Sequence, residues 1–146
     1  MKRVAIIGAG ISGLFIANLF KRSSNYQITI YEKNTSIALE EGYGVQLSVN
    51  SIKLLNEIKF DRLQNDEKFT PVKIDFYSNN SSNKICELNI SDFNSEDCKY
   101  TTLKRSVLIN FLKKDLGDLI KTNYSISKID QQNQQIKISF ENNEIK

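Results

Sequence analysis

The chain contains no histidine and no tryptophan, a single proline (Pro71) and two cysteines, Cys86 and Cys98. Without histidine there is no Ser-His-Asp or Cys-His catalysis, no His-ligated zinc and no imidazole general base. The cysteines make no C-x-x-C pair, which removes a four-ligand zinc or redox motif and predicts no bound metal. With nothing secretory around them, they read as reduced thiols. Basic excess is slight: 20 Lys+Arg against 17 Asp+Glu give a net charge of +3. The lysines are scattered, and pairs such as Lys113–Lys114 read as a solvated helix face, so no nucleic-acid partner is expected.

A long apolar run is also missing. Met1-Lys2-Arg3 precedes an uncharged stretch from Val4 to Phe20, which has the outline of a signal peptide. Gly8, Gly10, Ser12, Gly13 and Asn18 interrupt it, no small-x-small cleavage site follows, and it falls short of a membrane span. The expectation is a cytoplasmic protein with no membrane span. Its 146 residues allow one domain or part of a larger one.

What is present is a local pattern. Residues 3–8 form an apolar run that ends on glycine, predicting a strand buried on both faces. Ile11, Leu14, Phe15, Leu19 and Phe20 then recur at helical spacing before Lys21 and Arg22, whose charge suits a helix C-terminus. Residues 27–32 are β-branched and aromatic and predict a second strand. Together they predict a parallel, right-handed βαβ unit. Further on, Ser48 or Asn50 caps a predicted helix over 51–59, with Ile52, Leu54, Leu55 and Ile58 as its apolar stripe. Alternation over 72–77 and 84–90, around the turn segment 79–83, predicts an antiparallel hairpin. A helix from Ser106 to 116 or 120, strands near 123–129 and 135–140, and a last turn at Asn142-Asn143 complete the reading.

Gly8-Ala9-Gly10-Ile11-Ser12-Gly13 joins the first strand to the first helix. A bare G-x-G-x-x-G is weak, but in a βαβ unit each glycine has a task. Gly8 permits the tight turn, Gly10 lets a pyrophosphate approach the backbone, and Gly13 lets the helix pack against the strand. The first-turn amides and the positive dipole end then hold the anion. Glu32, 19 residues after Gly13, is placed to accept ribose hydroxyls and to repel a 2′-phosphate, favouring FAD or NAD over NADP. Arg105 stands before a predicted helix N-terminus and is one of only four arginines, the pattern of an anion-binding fork.

Val4 to Glu32, then Gly42-Tyr43-Gly44-Val45-Gln46-Leu47-Ser48-Val49-Asn50, then Leu103-Lys104-Arg105-Ser106-Val107-Leu108 resemble, in order, the N-terminal part of the FAD-dependent aromatic hydroxylases, flavoprotein monooxygenases like the para-hydroxybenzoate and salicylate hydroxylases. The resemblance implies an α/β fold: a Rossmann-like FAD-binding βαβ parallel sheet with a small antiparallel hairpin excursion. Residues 1–146 would be the FAD-binding domain, with 70–100 the start of the substrate-side sheet. It implies that Gly8, Gly10, Ser12, Gly13 and Glu32, with Lys33 beside it, contact the ADP part of FAD. Gly44 and Gln46 would lie along the cofactor, and Arg105 would contact it from its helix. Ile126 is a core residue that could pack near the adenine. The family reaction takes NAD(P)H as co-substrate with O2 and hydroxylates a small, usually aromatic, substrate.

Two departures accompany the resemblance. Ser24 stands where the longer fingerprint has glycine, and Asn25 is expected to supply a left-handed turn instead. The family's later Asp-Gly and Gly-Asp motifs, with most of its flavin-ring site, are absent from these residues, and no catalytic base is identified. Without that C-terminal part, residues 3–8 become an apolar sheet edge, open to a partner chain or to a missing segment. Tyr and Phe in 69–100 are expected in the core of the small sheet rather than as a base-stacking platform. The alternatives are an incomplete, catalytically inactive dinucleotide-binding module, or a plain NAD-dependent oxidoreductase, which the 72–90 hairpin disfavours.

Overall fold

The computed structural model describes residues 1–37, 43–133 and 135–141. In chain order, β1 (Lys2–Ile7), α1 (Ile11–Lys21) and β2 (Tyr26–Tyr31) are followed by β3 (Gly44–Leu47) and α2 (Val49–Asn56). Then come β4 (Lys68–Phe69), β5 (Lys73–Tyr77), β6 (Lys84–Asn89), β7 (Thr101–Lys104) and α3 (Arg105–Lys113). Strands β8 (Ile120–Lys121), β9 (Ile126–Gln132) and β10 (Gln135–Phe140) complete the order. Two compact units emerge, one of 1–41 with 112–146 and one of 42–111. No helix among the described residues is long and apolar enough to cross a membrane. Gly42 and the predicted turn at Asn142-Asn143 lie outside the described residues.

The first unit carries the predicted βαβ. β1 and β2 pair in parallel from Lys2↔Tyr26 to Ile7↔Tyr31, and β8 joins the far side of β2, also in parallel. The order β1-β2-β8 leaves β1 at the edge of this sheet among the described residues. One expectation needs correction: β1 is not buried on both faces. Ile6 is buried, whereas Ala5 is exposed and Ile7 is 50% exposed. Alternation puts Ile6 on the face covered by α1 and Ala5 and Ile7 on the face that α1 does not reach.

Leu14 and Ala17 form the buried stripe of α1, and the Asn18 amide donates to the carbonyls of Leu14 (2.9 Å) and Leu112 (2.7 Å). The turn into β2 also differs from expectation. Asn25 is not among the residues with positive φ; its N–H donates to the Ser23 hydroxyl at 3.3 Å and its carbonyl accepts the Lys2 N–H at 2.8 Å. An ordinary Ser-assisted turn thus replaces a left-handed one. The antiparallel pair β9–β10 closes over Tyr31: Ile138 and Phe140 bury against it, with Tyr124 and Ile126 packed alongside. Ile126 is therefore held by this aromatic cluster.

The second unit holds two small antiparallel sheets, β3-β7-β4 and β5-β6. The predicted hairpin is present, with Ile74↔Leu88 and Phe76↔Cys86 as cross-strand pairs. The aromatics of 69–100 do not form the expected core: Phe69, Phe76, Tyr77 and Phe93 are exposed, and Tyr100 is half-buried. A two-stranded sheet has two faces, and the apolar one is only partly covered: Ile74 is half-buried and Ile90 buried, while Phe76 and Leu88 are exposed. α2 spans a shorter stretch than predicted, beginning after Ser48; Ile52 and Leu55 are buried while Leu54 is 56% exposed. α3 begins at Arg105, one residue before the predicted start, and Leu108, Ile109 and Leu112 are buried in it. Strands β3, β4, β7 and β8 are two to four residues long and carried no readable alternation.

Candidate functional site

The glycine corner of the first unit is built as the spacing requires, each glycine for a separate reason. Gly8 has φ +95°, a conformation that side chains with a Cβ resist. A Cβ on Gly13 would lie 2.0 Å from the Gly8 carbonyl oxygen and 3.3 Å from Ile6 Cγ2, so only glycine lets α1 approach this closely. A Cβ on Gly10 would meet nothing within 4 Å. The space at Gly10 is therefore open rather than filled by packing.

Gly10 is also the N-cap of α1, with no side-chain cap and no acidic residue in the first turn. The first intrahelical bond runs from Leu14 N–H to Gly10 O at 2.9 Å. The amides of Ile11, Ser12 and Gly13 thus have no acceptor within the helix. An uncapped N-terminus opening onto empty space suits an anion. Ser12 is exposed at this end.

Glu32 follows β2 and is only 9% exposed. Its carboxylate faces the glycine corner: Oε2 accepts the Ala9 N–H at 2.8 Å, and Oε1 accepts the Asn34 N–H at 3.0 Å. Its main chain is held as well, donating to Lys121 O and accepting from Tyr124 N–H, both at 2.8 Å. An ionised carboxylate offers about four acceptor positions, so about two remain for hydroxyl donors. Lys33 is exposed next to it. Gly8, Gly10, Gly13 and Glu32 are therefore brought together, and Ala9, Asn34, Lys121 and Tyr124 complete the setting. Those four left no sequence signal, since each acts through its backbone.

Gly44, Gln46 and Arg105 are gathered in the second unit. Gly44 pairs with Lys104 and Gln46 with Thr102 along β3–β7, and the Arg105 N–H donates to the Tyr43 carbonyl at 3.1 Å. Gln46 Oε1 accepts the Tyr100 hydroxyl at 3.1 Å. The same unit has a cavity of about 530 Å³ whose lining includes Ile52, Asn56, Phe60, Lys68, Asp97 and Thr101. No residue predicted for the site lines it.

Comparison with known proteins bears on the fold. Residues 6–40 match the family model of an NAD(P)-binding Rossmann-like domain. No curated protein sequence matches the chain. Among solved structures, a protein from Photorhabdus luminescens described as an FAD-containing monooxygenase is similar at 21% identity, TM-score 0.73, over 100% of this chain and 37% of its own. The 2,6-dihydroxypyridine-3-hydroxylase of Arthrobacter nicotinovorans is similar at 15% identity and TM-score 0.77, over 99% of this chain and 34% of its own. HpxO of Klebsiella pneumoniae, in complex with FAD and uric acid, is similar at 14% identity and TM-score 0.80, over 99% and 36%. The chain spans about a third of the length of these structures. Its fold is that of this portion of these three structures: a Rossmann-like parallel sheet with antiparallel hairpins.

Proposed function

We propose that the chain is the FAD-binding portion of a flavin-dependent monooxygenase that hydroxylates an aromatic or similar small substrate with NAD(P)H and O2. One observation carries the reading: a buried carboxylate held on the amide of a glycine corner, beside an uncapped helix N-terminus open at Gly10. The residues fit the ADP half of FAD by their chemistry. The first-turn amides of α1 bind the diphosphate, and the open space at Gly10 lets it approach the main chain. Glu32 accepts ribose hydroxyls through the acceptor positions that Ala9 and Asn34 leave. Ser12 and Lys33 flank this pocket, and Gly44, Gln46 and Arg105 serve the remainder of the cofactor.

When bound, FAD supplies the redox chemistry, and the balance is substrate-H + NAD(P)H + H⁺ + O2 giving substrate-OH + NAD(P)⁺ + H2O. In this reading residues 1–146 form the FAD-binding domain, and 70–100 begin the substrate-side sheet. A partner chain or a further segment covers the outer edge of β1, and the protein works in the cytoplasm. The exposed apolar face of β5–β6 and the open edge of β1 support the need for such cover.

The test is to purify the protein, record its flavin absorbance, and follow NAD(P)H oxidation with and without aromatic acids. The expected result is a yellow protein whose NAD(P)H oxidation rises with substrate. A yellow protein without turnover supports the inactive dinucleotide-binding module, and a colourless one that takes up no added FAD overturns the monooxygenase reading.

A further inference from the structure

We infer that Asn123 is the positioning residue that aims the Glu32 carboxylate at the dinucleotide, an inference that rests on the function proposed above. Asn123 lies between β8 and β9 and adopts φ +63°, left-handed backbone that asparagine tolerates better than other residues with a Cβ. This one residue lets two successive amides turn back on the segment after β2. Asn123 N–H donates to Asn34 O at 2.9 Å, and Tyr124 N–H donates to Glu32 O at 2.8 Å. With Glu32 N–H donating to Lys121 O, the 121–124 segment grips residues 32–34 through three main-chain bonds.

The grip reaches the carboxylate by a short path. Asn34 is the residue whose amide holds Glu32 Oε1, and Glu32 Oε2 is thereby left on the Ala9 amide. A carboxylate fixed at both oxygens does not have to be ordered when ribose arrives, which lowers the cost of binding. If the turn relaxes, Asn34 shifts, Oε1 loses its donor, and the acid swings off the corner. The Asn123 side chain is exposed, whereas its neighbour Tyr124 is anchored against Tyr31 and Phe140. Substitution at 123 therefore changes the backbone preference and little packing.

The test titrates the full chain with FAD, reading flavin fluorescence, with thermal melting recorded for every variant. Asn123→Gly keeps the left-handed turn and is expected to bind within about twofold of the parent. Asn123→Val disfavours it and is expected to bind about tenfold more weakly. In a Glu32→Ala background the same valine substitution is expected to add less than about twofold, because the residue acts through Glu32. If the valine variant fails to melt cooperatively, Asn123→Ala replaces it and is expected to fall between the glycine and valine values, at about a threefold loss. Parent-like affinity in the valine or alanine variant overturns the inference alone, as does a full tenfold loss persisting without Glu32. A parent chain that binds no FAD overturns the proposed function first.

Discussion

Glu32 and Glu87 each accept two charge-assisted hydrogen bonds, and the resemblance stops there. Glu32 is buried, and its donors are the main-chain amides of Ala9 and Asn34. Glu87 sits on the exposed face of the β5–β6 hairpin, and its donors are the ammonium groups of Lys73 (3.0 Å) and Lys84. Asp75 shares both lysines, at 3.7 Å from Lys73 and 2.9 Å from Lys84. Backbone donors on fixed elements hold a carboxylate in one orientation. Long lysine side chains in water follow the carboxylate instead, and their entropy offsets the attraction. The first arrangement prepares a site, whereas the second ties two strands together.

Four changes sharpen this contrast. Gly13→Ala is expected to act most strongly, since its Cβ would overlap the Gly8 carbonyl. A loss of roughly 3 kcal/mol or more is expected, read as a lowered denaturation midpoint. Glu32→Ala leaves the Ala9 and Asn34 amides without their acceptor and is expected to cost about 1–3 kcal/mol of stability, together with FAD affinity. Gly10→Ala separates the two effects. Its Cβ meets no neighbour, so stability stays within about 0.5 kcal/mol, while FAD binding weakens about tenfold as the methyl enters the open space. Equal affinity in that variant would remove the diphosphate from this corner.

Glu87→Gln is expected to do least, a small loss at neutral pH that vanishes in acid. The hydrogen bond from Lys84, then that from Lys73, lower the Glu87 carboxyl from its ordinary 4.5 to about 2. A pKa depressed in the folded state stabilises above the unfolded value and ceases to do so as pH falls from about 4.5 towards 2. Removing the charge should lower the melting temperature slightly at neutral pH and flatten its fall across that window, so that parent and variant converge in acid. An unaltered acid limb would mean the ion pairs contribute nothing to folding.

Legibility followed the distance between interacting residues along the chain. The strand-glycine-helix-strand of 2–31 was readable because its periods and its glycines are local, and Gly8 and Gly13 carry the tasks the spacing assigned them. The 73–89 hairpin was readable for the same reason. The burial of β1 was misread: an apolar run does not say which of its faces will be covered, and here Ala5 and Ile7 are open. Strands β3 and β7 pair across more than fifty residues with no alternation to announce them, so the grouping of Gly44, Gln46 and Arg105 emerged only from the pairing.

By itself, the order of residues settled where the chain must turn tightly and where a helix must press on a strand, because only glycine fits those backbone angles and contacts. It also placed an acid at the end of the second strand. That this acid turns inward onto Ala9, steadied by residues 121–124 that lie some ninety positions later, was decided by tertiary structure. Its partners are main-chain amides and carbonyls. Nearly every residue carries those, so only the folded backbone determines which of them meet.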